Sequence, residues 1–218
     1  MSRQNVLVVL GHPDLKSYCA ALADTYAAGL DTDRYDVEVL RLGELDFDPV
    51  LRFGYRERMP ADPVVDRSKE LVLWADHIVL VFPVWWSQMP SLLKGWLDRV
   101  LTAGFAYAMP TKARLRQLGL RGLVKQGSRP FKLLHGRTAT LVVTSQGPAW
   151  MASAPMVRLT RRHVLGLCGI STTQVLTHGW LTTARDTQAR RERFLAKVDR
   201  AATRLDVRRA RRPAPDPA

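Results

Sequence analysis

What most constrains this chain is a regular exchange of two kinds of segment. NVLVVL (5–10) is a continuous apolar run rich in β-branched residues, the pattern of a strand covered on both faces. Ser17 is placed to cap a following helix, with Ala20, Ala21, Leu22 and Ala27 among its packing positions. YDVEVL (35–40) alternates as a second strand, and a polar loop with Gly43, Pro49, Gly54 and Pro60 leads to a helix over about 64–75. HIVLVF (77–82) reads as a third, buried strand. The next helix is expected over 91–102, with Leu92, Leu93, Trp96, Leu97 and Val100 on its inner face. TATLVVT (138–144) and TTQVLT (172–177) are a fourth and fifth strand, separated by a helix over about 156–167, and a basic amphipathic helix from about Ala184 follows. This order predicts an α/β fold with a five-stranded parallel sheet, right-handed crossovers and helices on both faces.

With 218 residues, 46% of them hydrophobic, the chain can bury one sizeable core, so a single domain is expected over 1–207. Residues 108–137 are too long for an ordinary connection and read as an insertion or flap; 208–218, ending PAPDPA, reads as a flexible tail. No apolar run approaches a membrane span, and MSRQ leads into the first strand without a signal-peptide pattern, so a cytoplasmic location is expected. Cys19 and Cys168 are too few for a disulfide framework or a cysteine metal site and read as small core residues.

Charge divides the chain. Residues 1–111 carry 11 basic and 15 acidic side chains, net −4, whereas 112–218 carry 22 and 5, net +17. A polyanion, an anionic membrane surface or a phosphorylated small molecule would suit the second half, and so would a plain solvated face. Zinc-finger spacing, an RNA-binding aromatic signature and a helix-turn-helix are all missing, which argues against specific nucleic-acid binding.

In an open parallel sheet a ligand sits beyond the carboxyl ends of the strands, which singles out the exits at 11–18, 83–90 and 144–151. In GHPDLKSYCAAL, a helix N-terminus, the Ser17 hydroxyl, His12 and Lys16 could receive a phosphate; an ordinary strand-to-helix turn reads the same way. Gly11 stands alone, so the dinucleotide fingerprint is not met. At the second exit Pro83 is expected to end the ladder, and Trp85 and Trp86 follow. Adjacent side chains in extended chain point to opposite sides, so at least one of these two should line a pocket or an interface.

GHPDLKSYCAAL, FPVWWSQMPSLLKGWLDRVLTAGFAY and GRTATLVVTSQGP, in that order on successive strands, resemble the NAD(P)H:quinone oxidoreductase and modulator of drug activity B branch of the flavodoxin-like superfamily. The middle block carries most of the likeness, which spans about 4–180. It implies a flavodoxin-like three-layer sandwich of strand order 2-1-3-4-5, a flavin (FAD slightly before FMN) and NAD(P)H as electron donor. His12, Ser17, Tyr18 and Cys19 would hold the phosphate and ribityl end. Pro83, Val84, Trp85 and Trp86, with Thr144, Ser145, Gln146 and Gly147, would embrace the ring. The acceptor would be a quinone or related aromatic, and the protein a homodimer with a shared active site, to which Phe105 and Tyr107 contribute from the second chain.

One departure stands out. The family's double glycine after the fourth strand, followed by a Tyr and a His, is replaced by TSQGPAWMASAPMVRLTRRH, with no Tyr or His before His163. A different acceptor then becomes reasonable, with Trp85, Met89, Met109, Trp150 and Met151 lining its pocket; dimer packing would also explain these side chains. A basic flap at 112–137 would favour NADPH over NADH. Two other classes are kept: a flavin- and nucleotide-binding regulatory subunit of a potassium efflux or other partner system, and a polyanion-binding protein that retains only the fold.

Overall fold

The computed structural model describes residues 3–54, 56–111 and 129–207. Five strands form one parallel sheet, β1 (Gln4–Leu10), β2 (Tyr35–Arg41), β3 (His77–Val84), β6 (Thr138–Ser145) and β7 (Ser171–His178), in the order β2-β1-β3-β6-β7. This is the expected 2-1-3-4-5 arrangement. A second sheet of two residues per strand pairs β4 (Tyr107–Ala108) antiparallel with β5 (Phe131–Lys132). It pins the two ends of the expected insertion; 112–128 lie outside the described residues, as does the expected tail.

Period-two alternation divides the core. Val6, Val8 and Leu10 of β1 face the helices α1 (Tyr18–Ala28) and α7 (Gln188–Thr203), and Leu7 and Val9 face the other side, where α2 (Pro63–Trp74) and α3 (Ser91–Val100) pack. β3 is buried along its whole length because both faces are covered. Burying each of its large aliphatic side chains contributes about 1.5–3 kcal/mol.

Four features of the fold depart from the pattern expected of the sequence. Pro83 does not end the ladder, since β3 pairs with β6 through Pro83↔Thr144 and Val84↔Ser145. The Val81 carbonyl accepts from Gly11 N–H, so the backbone of odd-numbered β3 residues faces β1, which has ended at Leu10. The N–H that Pro83 lacks would have found no strand partner there. Ala21 is exposed rather than packed; the inner face of α1 is Cys19, Ala20, Leu22, Ala23 and Tyr26. The helix expected over 156–167 starts earlier and is broken into α4 (Ala149–Ala152), α5 (Ala154–Leu159), a π-helical turn (Thr160–Leu165) and α6 (Gly166–Cys168). In that widened turn Gly166 N–H bonds to the Arg161 carbonyl, and a Cβ on Gly166 would come within 2.9 Å of that oxygen. Finally, α7 begins at Gln188 rather than near Ala184, because Thr187 caps it by accepting from Arg190 N–H.

Candidate functional site at the carboxyl end of the sheet

At the carboxyl ends of β1, β3 and β6 the chain encloses an open cleft of about 560 Å³. Its walls are His12, Ser17, Tyr18, Cys19, Pro83, Val84, Trp85, Trp86, Thr144, Ser145, Gln146, Leu181 and Thr182. The loops after β1, β3, β6 and β7, distant in sequence, meet here because parallel strands end on the same side of the sheet.

The first loop ends in a helix N-terminus. Ser17 caps α1 by accepting from Ala20 N–H, the first turn holds no acidic residue, and the leading N–H groups of the helix have no intrahelical partner. Asp14 N–H donates to Nδ1 of His12 at 2.9 Å, so the neutral ring carries its proton on Nε2. Burial lowers the pKa of His12 against the opposing influence of Asp14, which keeps the ring neutral near pH 7. Cys19 lies against Thr144, Sγ to Oγ1 at 3.3 Å, and burial pushes its thiol up to about 11, which disfavours a reactive thiolate.

At the second loop the chain reverses in two residues. Trp85 N–H bonds to the Gln88 carbonyl and Gln88 N–H to the Trp85 carbonyl, with Trp86 (φ 50°) and Ser87 (φ 59°) between them in left-handed conformation. Such a turn favours Gly and Asn, so a tryptophan there is strained, and its side chain is 99% exposed. The other non-glycine residues with positive φ among those described are Trp180 and Thr182, in the loop after β7. All four lie in loops that border this cleft. Trp85 meets His12 edge to face, ring centroids 5.3 Å apart.

Leu181 and Thr182 were not expected from the sequence. The exits that the sequence singles out, 11–18, 83–90 and 144–151, do not include the loop after β7. That loop leans on the loop after β6 through Trp180 N–H to the Gly147 carbonyl and Leu181 N–H to the Ser145 carbonyl. Only glycine fits at 179, where a Cβ would stand 2.5 Å from Ala149 N and 2.6 Å from the Gly147 carbonyl oxygen. Asp186 ties the loop down by accepting from Thr182 N–H and, twice, from Arg191, and these bonds hold its carboxyl at about 2.

Behind the cleft wall, Tyr18 Oη lies 3.2 Å from the Arg191 carbonyl and 3.1 Å from Nδ1 of His178. A carbonyl can only accept, so both bonds form together when Tyr18 donates to it and His178 donates from Nδ1. Burial is the main cause that raises the Tyr18 phenol to about 12 and lowers the pKa of His178. This Tyr–His pair is separate from the one whose absence the loop after β6 suggested.

Eleven of the twelve residues expected to hold the cofactor thus line one cleft. Gly147 does not, its carbonyl being turned to the neighbouring loop. The expected acceptor pocket fares differently. Met89 is a core residue, 6% exposed, because the tight turn sends the chain inward before Pro90. Phe105 and Tyr107 pack, partly buried, on the core of their own chain, and Met109, Trp150 and Met151 are exposed; none of these lines the cleft. No helix among the described residues is long and apolar enough to cross a membrane.

The fold agrees with the comparisons to known proteins. The family model described as a flavodoxin-like fold matches residues 4–202. The chain belongs to this family. Human ribosyldihydronicotinamide dehydrogenase (quinone) is 30% identical over 188 residues, covering 76% of this chain and 73% of that protein. A solved Streptococcus mutans protein superimposes with a TM-score of 0.77 at 26% identity, covering 93% of this chain and all of that one. An NAD(P)H:quinone oxidoreductase from Methanothermobacter marburgensis shares the fold, with a TM-score of 0.71 at 22% identity over 96% of this chain and 100% of that one. This flavodoxin-like protein belongs to the quinone oxidoreductase branch and is an oxidoreductase.

Proposed function

We propose that the protein is a flavin-dependent NAD(P)H oxidoreductase that reduces a quinone or a related aromatic acceptor. The observation that carries this reading is the cleft. Its volume lies in the range of small-molecule sites, and its lining combines flat apolar surface from Pro83, Val84 and Trp85 with neutral donors and a helix N-terminus. That chemistry suits a planar ring joined to a phosphate.

Bound FAD or FMN would supply a two-electron carrier at N5, taking hydride from NAD(P)H and passing it to the acceptor in a ping-pong cycle. The chain's own part is placement. Ser17 Oγ–H, His12 Nε2–H and the first N–H groups of α1 bind the phosphate without a full countercharge. Thr144, Ser145 and Gln146 present polar groups to the ring edge, and Trp85, backed by His12, forms one wall. Exposed Trp86, Met109, Trp150 and Met151 suit a homodimer in which a second copy closes each cleft.

The test is an absorbance spectrum after incubation with FAD or FMN and desalting, repeated anaerobically with NADPH. Retained flavin that bleaches, and turnover with a quinone, are expected. A protein colourless with both flavins would overturn the proposal, and retained flavin without turnover would favour the regulatory-subunit reading.

A further inference from the structure

A second cleft, also of about 560 Å³, opens at the other end of the molecule, beside the start of β7. Lys132, His135, Arg161 and Arg162 line it, with Ser171 and Thr172 of β7, and no carboxylate is among the lining residues. The four basic side chains are exposed and make no hydrogen bond or ion pair among the described residues. Three permanent positive charges therefore share one concavity without a counterion among the described residues.

Two further observations show that the site is built rather than incidental. Thr172 lines the cleft, and its Oγ1, turned away from solvent, lacks a hydrogen-bond partner among the described residues, a cost that rotation of the side chain toward a ligand oxygen would remove. The backbone is also specialised. Arg161 and Arg162 sit on the π-helical turn, a distortion often found at functional sites, and left-handed Gly169 (φ 97°) lets the chain pass close to His135, where a Cβ would lie 3.1 Å from the backbone nitrogen.

We infer that this cleft binds the phosphate groups of a nucleotide-sized anion, with Arg161, Arg162 and Lys132 on the phosphates and Thr172 donating to one of their oxygens. Its volume exceeds what an inorganic phosphate needs, so the remainder of the ligand lies along the cleft. The site is distinct from the proposed flavin cleft. β7 runs eight residues from Ser171 to His178, which puts roughly 23 Å between the two ends of the sheet there. One nucleotide cannot have its phosphates here and its reactive ring over the flavin.

The test is isothermal titration of the flavin-saturated full-length protein with ADP, repeated with Arg161→Ala/Arg162→Ala and with Thr172→Val. The inference holds apart from the flavin reading, so a protein that retains no flavin is titrated as it stands. One saturable event is expected, weakened at least about tenfold in the double variant and about threefold in Thr172→Val. The altered arginines are exposed, and an unchanged flavin spectrum and thermal midpoint verify the fold. No saturable binding, or an affinity unchanged by the double substitution, would overturn the inference; the latter would place ADP in the carboxyl-end cleft.

Discussion

The two ends of one sheet solve the same recognition problem with different chemistry. At the carboxyl end the cleft has neutral donors, a helix N-terminus and aromatic surface, surrounded by loops that hold Trp86, Ser87, Trp180 and Thr182 in strained conformations. At the amino end of β7 the cleft has cations without an ion-pair partner among the described residues and a widened helical turn. Fixed dipoles suit a ligand whose position must be exact for chemistry, because they are held by the backbone and require no long side chain to be ordered. Long cationic side chains suit an anion held mainly by charge.

The most severe way to break this contrast is Gly179→Ala. Its new Cβ would meet backbone atoms at 2.5 and 2.6 Å, so the loops after β6 and β7 must part. Flavin retention is expected to fall at least about tenfold, with a stability loss of about 1–3 kcal/mol, whereas ADP titration of the basic cleft should be unchanged. Equal loss at both ends would mean that the clefts do not behave independently.

Acid provides a second probe, through His77 at the amino end of β3. The ring is buried between the hydroxyls of Thr138 and Thr140, and burial lowers its pKa from 6.5 to about 4. The unfolded chain binds the proton first, so this contribution is complete above pH 6.5, falls as the pH drops, and is gone below about 4. Its size is on the order of 3 kcal/mol. Thermal melts between those limits should show the loss, and His77→Gln should abolish that part of the pH dependence.

Salt should separate the clefts more gently. Between about 0.05 and about 0.5 M NaCl, ADP affinity is expected to fall about tenfold while flavin affinity changes by less than about twofold. Similar slopes would place full charges in the flavin site.

The smallest effect on the single chain is expected from Trp86→Ala. A side chain 99% exposed contributes little packing, so its removal should change stability by less than about 0.5 kcal/mol. Relief of the left-handed strain would push in the stabilising direction. Sedimentation should show weaker self-association if Trp86 faces a second copy, and unchanged association would remove that role.

How much of this was legible in advance differs by element. The exits of β1, β3 and β6 were legible, since each strand is an apolar run in the sequence and the cleft residues lie at or just past its carboxyl end. Met89 was misread because it directly follows an exposed turn over 85–88; nothing local says that a two-residue turn returns the chain to the core. The exit of β7 was missed for a comparable reason. Thr187 rather than Ala184 starts the helix, and Asp186 is committed to Arg191 and Thr182 N–H, a pairing visible only once the loop is folded back.

The alternation of strands and helices, the residues apolar enough to be buried and the place where a phosphate could meet a helix N-terminus are all legible in the order of residues. These are local properties, read from a period of two or 3.6 and from capping chemistry. Folding alone reveals that Pro83 can remain in the ladder, that Gly179 must be glycine, and that Lys132 and His135 join Arg161, Arg162 and Thr172 around one cleft. Each of these depends on what another part of the chain places within a few ångströms, and periodicity carries no record of that.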